Sequence, residues 1–71
     1  MINTDKLLEA INNTYKHLPT TTERIHQLAE DVDITARGLY KIIRTKKCSL
    51  ETLIFLKSIL NFSYDDVIES I

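Results

Sequence analysis

The run from Leu28 to Arg44, Leu-Ala-Glu-Asp-Val-Asp-Ile-Thr-Ala-Arg-Gly-Leu-Tyr-Lys-Ile-Ile-Arg, constrains this chain more than any other stretch. Its pattern predicts a helix, a tight turn and a second helix. An amphipathic spacing ends at Val32 and Asp33-Ile34 interrupts it. Thr35 then supplies a side-chain oxygen for a free amide at the start of the next helix. Ile34 before that cap and Leu39 after it stand at the spacing of a hydrophobic staple, which sets the angle of entry. Within the second helix, taken as 35–44, Leu39, Ile42 and Ile43 share one side, and Arg37, Tyr40, Lys41 and Arg44 share the other. One flank is built to pack; the other offers cations and a phenol.

Size limits what such a helix can belong to. Seventy-one residues make one small domain, 1–71, with a modest core and no room for a deep substrate pocket, which argues against an enzyme. The single Cys48 cannot close an intrachain disulfide, so the fold must rest on packing, as suits a reducing compartment. The opening Met1-Ile2-Asn3-Thr4-Asp5-Lys6 does not read as a signal peptide, and no apolar run reaches the length of a membrane span. A soluble, intracellular protein is expected. His17 and His26 lack partners at metal-ligand spacing and Cys48 has no adjacent base, so no metal, cofactor or catalytic group is expected.

The formal net charge of −1 conceals a strong segregation. Arg37, Lys41, Arg44, Lys46 and Lys47 lie between Ile34 and Leu50 with no acid among them, and all ten acids lie outside that span with the other four cations. A basic lobe on an acidic body attracts phosphate locally, while the body's repulsion weakens binding and sharpens its salt dependence. The alternative is a merely solvated face. Against it, the cations coincide with the outward side of the helix that the pattern singles out.

Elsewhere Leu7, Ile11, Tyr15 and Leu18 recur at helical spacing, with Leu8 at the stripe's edge, Thr4 as cap and an end before Pro19. Thr20 and Glu23 have capping-box spacing, opening a second helix with Ile25, Leu28, Ala29 and Val32 inward. Thr21, Thr22 and Arg24 at its start can either hold a phosphate or simply serve the helix end. After the basic loop Thr45-Lys46-Lys47-Cys48, Ser49 caps a fourth helix whose inner stripe is expected to be Leu50, Leu53, Ile54 and Leu60. Phe55 and Ile59 then face outward, as a protein contact or as filling beneath the last helix. Asn61 suits a left-handed helix end, Ser63 with Asp66 resembles a capping box, and Phe62 with Val67 has staple spacing. A short fifth helix follows, with Ile68 and Ile71 as its other apolar groups. No strand alternation, linker or repeat is evident.

From about Glu23 to Ile68 the chain resembles the Cro/C1-type (XRE-like) helix-turn-helix family. The matching series is Leu28-Ala29, Ile34-Thr35, Leu39, Ile42, Arg44, Ser49-Leu50-Glu51-Thr52-Leu53, Leu56, Leu60 and Ser63 with Asp66. The resemblance implies an all-α, compact, five-helix lambda-repressor-like domain with a helix-turn-helix formed by helices 2 and 3. It also implies a small temperate-phage switch protein in the cytoplasm of a bacterial host.

By that resemblance Thr35, Ala36, Arg37, Tyr40 and Lys41 would meet base edges of double-stranded DNA. Arg44, Lys46 and Lys47 would reach phosphate. The chain departs from the family at Ile43, where glutamate is common, at Thr45, where glycine is common, near Cys48, where proline is common, and at Lys57, where alanine is common. A threonine at the loop glycine must avoid or tolerate a left-handed backbone. Ile43 either thickens the core or, if exposed, joins Phe55 and Ile59 as a protein interface. Two functions therefore stand side by side: a DNA-binding regulator, acting as a homodimer on operator DNA, and a modulator or antirepressor that grips a phage repressor protein.

Overall fold

Four of the five helices of the computed structural model, which describes residues 2–68, start where a short polar side chain accepts a free amide of the first turn. α1 (Thr4–Thr14), α2 (Thr21–Asp31), α3 (Ala36–Thr45), α4 (Leu50–Leu60) and the short α5 (Tyr64–Val67) follow in order. Thr20, Thr35 and Ser49 accept the amide protons of Glu23, Gly38 and Thr52 at 3.2, 3.0 and 3.2 Å. Those three caps are the ones the spacing predicts. The first is not: Asn3 Oδ1 takes the Lys6 amide at 3.2 Å, and Thr4 is the first helical residue, its side chain buried. Ser63 precedes α5 without a side-chain cap bond, so the capping box expected with Asp66 does not form; the Ser63 carbonyl accepts the Asp66 amide instead.

Three left-handed residues end the helical segments or turn the chain between them: Asp33 (φ 59°), Lys46 (φ 60°) and Asn61 (φ 54°). Asp and Asn tolerate this region because their short side chains bond locally. Lys46 does not share that advantage, and the chain reverses here without a glycine. Thr45 stays helical, its hydroxyl donating to the Lys41 carbonyl at 2.8 Å, and the reversal falls one residue later. The Lys46 carbonyl is then taken by the Ile2 amide at 3.0 Å, while the Asn3 amide donates to Val67 at 2.6 Å. Ile2 and Ile68 form an isolated antiparallel bridge, the sole β-pairing among the described residues. The N-terminus thereby ties the basic loop to α5.

One hydrophobic cluster joins all five helices, with Leu7, Ile11, Leu28, Leu39, Leu56 and Val67 fully enclosed. The radius of gyration of 11.0 Å equals the roughly 11 Å expected of a folded chain this long. α2 packs on α1 and α3, and α1 also meets α4 and α5. α1 is shorter than the spacing suggests: it ends at Thr14, and Leu18 lies in the following turn, half-buried, its amide donating to Tyr15 at 2.9 Å.

The inner stripe of α4 is Leu53, Leu56 and Leu60, which corrects the stripe drawn through Leu50 and Ile54. Leu50 is 69% exposed and Ile54 49% exposed. Apolar residues occur on nearly every side of α4, so periodicity cannot choose the buried side; contact with α1 chooses it. Ile71 lies outside the described residues.

Candidate nucleic-acid interface

α3 owes its placement to three local devices. Thr35 caps it, Ile34 and Leu39 pack into the core on either side of that cap, and the Ile34 amide is tied to the Ala29 carbonyl at 2.9 Å. With Leu39 fully buried and Ile42 and Ile43 half-buried against the cluster, the helix is held by one flank. Ile43 therefore packs along the edge of the core.

The opposite flank carries Arg37, Tyr40, Lys41 and Arg44, all exposed, and these four line one shallow concavity of about 460 Å³. Among the described residues the sole ion pair joins Lys6 to Glu9 at 3.8 Å, so no carboxylate neutralises the α3 cations. Lys46 and Lys47 follow directly and are exposed. Thr35 is exposed beyond its capping bond, and Ala36 is half-buried against the core. Two guanidinium groups and neighbouring ammonium groups without internal partners have the chemistry to receive anions.

Tyr40 is steadied by His26 of α2, the rings meeting edge to face with centroids 6.0 Å apart. Sequence reasoning treats His26 as an ordinary surface residue; only the packing of α2 on α3 brings it beside the basic flank.

Arg24 has a structural role that its position in the sequence does not reveal. Its Nε donates to the carbonyls of Tyr15 and Leu18 at 3.1 and 3.0 Å, Nη1 to Asn12 at 3.1 Å and Nη2 to Leu18 at 2.7 Å. It clasps the α1–α2 connection, and one hydrogen on each terminal nitrogen is left for a phosphate. Thr21 donates to Asn12 at 3.2 Å, and Thr22 is exposed.

On α4, Phe55 is 51% exposed and Ile59 37% exposed, so neither fills space beneath α5. Lys57 stands 5.2 Å over the Tyr64 ring, a cation–π contact that gives this lysine a structural use. Burial pushes the Cys48 thiol up from its ordinary pKa, away from nucleophilic character. Among the described residues no three His, Cys, Asp or Glu side chains converge as a metal site, and no helix is long and apolar enough to cross a membrane.

No family model matches the chain, and neither a curated protein nor a solved structure matches it.

Proposed function

We propose that this chain is a sequence-specific DNA-binding regulator of the Cro/C1 helix-turn-helix type, with α2 and α3 as the helix-turn-helix and α3 as the recognition helix. One observation carries the reading: Arg37, Tyr40, Lys41 and Arg44 share a single exposed, unneutralised concavity on a helix clamped by its other flank. Arg37 and Lys41 donate to guanine edges, Ala36 meets a thymine methyl, and Thr35 lies at the entry of the helix to the groove. Arg44, Lys46 and Lys47 hold phosphate and set the register. A homodimer places two copies of α3 about 34 Å apart on a half-palindromic operator. The setting is a phage-type genetic switch in the bacterial cytoplasm, by resemblance to small switch proteins.

Selection from a pool of random duplexes tests this. The expected product is a pair of inverted half-sites about one helical turn apart. A pool that stays random after repeated selection at low salt contradicts it.

The exposed apolar side chains of α4 favour a second reading, a modulator that binds a phage repressor. Co-purification with the repressor tests it, and Phe55→Asp is expected to abolish the complex while the domain stays folded.

A further inference from the structure

Between the α2–α3 connection and α4 lies a groove of about 610 Å³ that the DNA reading does not use. Val32, Ile34, Phe55 and Ile59 give it an apolar lining, and Asp31, Asp33 and Glu51 are its acidic lining residues. No Lys or Arg lines it. Two of these acids are held in place locally. Asp31 is held by the Tyr15 hydroxyl at 2.5 Å and the Gln27 amide at 3.0 Å, while Asp33 sits on a left-handed backbone whose amide bonds the Glu30 carbonyl at 3.2 Å. A pre-set groove loses little freedom when it is filled.

Its chemistry selects the occupant. An acidic lining without a cation repels phosphate and disfavours nucleic acid on this face. An apolar lining edged by acids matches a helix with an apolar stripe flanked by arginine and lysine, the helix-in-groove mode of recognition. The cationic helix of this chain cannot supply that stripe, because α3 turns Leu39 into its own core. A second copy is therefore a poor fit and a separate polypeptide a good one.

We propose that this groove binds a basic amphipathic helix of another protein. Apolar side chains one turn apart on that helix lie against Val32, Ile34, Phe55 and Ile59, and its flanking cations meet Asp33 and Glu51. The proposal deepens the protein-contact reading of α4 and rests on it; it is independent of DNA binding.

The test uses the full chain and a fluorescein-labelled helical peptide with leucines at i, i+3, i+4 and i+7 flanked by arginines, followed by anisotropy. Two double variants undergo the same change in net charge. Asp33→Lys with Glu51→Lys alters the groove, and Glu9→Lys with Asp65→Lys alters exposed acids elsewhere. Groove binding predicts that the first pair weakens the peptide about tenfold and the second less than about twofold. Equal loss in both pairs reduces the effect to bulk attraction and overturns the proposal, as does no saturable binding to the parent chain. The wider protein-contact reading fails separately. If Phe55→Asp abolishes capture of a repressor while the Asp33/Glu51 pair leaves it intact, that reading stands and the cationic-helix proposal falls.

Discussion

The side-chain oxygen of Thr35 accepts the Gly38 amide proton at 3.0 Å, and a Cβ on Gly38 would stand 3.2 Å from that same oxygen. The cap and the glycine inside α3 are one device. Gly38 has no positive φ, so alanine there should gain its usual helix-propensity advantage of about 0.8 to 1 kcal/mol. The crowded hydroxyl must give way, however, and the cap it loosens is worth about 1 kcal/mol. Gly38→Ala is expected to leave stability within about 0.5 kcal/mol of the parent. In a Thr35→Ala background the same change stabilises by about 0.8 kcal/mol. Urea denaturation of the four proteins checks the cycle.

Tyr15 makes stability sensitive to alkali. Burial, then the hydrogen bond to Asp31 and its negative charge, push the phenol well above its ordinary pKa of about 10. The folded state therefore favours the neutral phenol. Its contribution is intact below pH 10 and declines as the pH rises above that value. Tyr15→Phe should cost about 1 to 2 kcal/mol at neutral pH and flatten the alkaline decline. Thermal unfolding from pH 7 to 11 measures both.

Lys46 is expected to separate stability from binding. Its left-handed backbone costs about 1 kcal/mol that glycine avoids, so Lys46→Gly should stabilise the fold by about 0.5 to 1 kcal/mol. If Lys46 holds phosphate as proposed, the same change should weaken all duplexes alike and reduce the salt slope by about one. Denaturation and salt-dependent anisotropy read the two effects independently.

Much of the architecture was legible because it depends on neighbours in the chain. Thr20, Thr35, Ser49 and Asn61 mark their helix ends through short polar side chains, and α3 divides cleanly into an apolar and a cationic flank. What escaped depends on contacts distant in sequence. Ile2 gains its place from Lys46 and Ile68, and the Arg24 clasp exists because the α1–α2 turn brings carbonyls to its guanidinium. Asn3 and Thr4 are both competent caps, and the choice follows from Thr4 being drawn into the core. The edge-to-face contact of Tyr40 with His26 has no signature in either residue's neighbourhood. The outward direction of Leu50 and Ile54 could not be read from a helix apolar on most sides.

On the proposed function the exposed flank of α3 docks on DNA. Anisotropy titration of a selected duplex across a series of salt concentrations, with the parent chain and with Arg37→Ala/Lys41→Ala, decides it. The parent is expected to bind the selected duplex more tightly than a scrambled one. The double variant should lose that preference, at about 1 to 3 kcal/mol per base contact. Absence of binding by the parent at low salt, or an unchanged preference in the double variant, would contradict it.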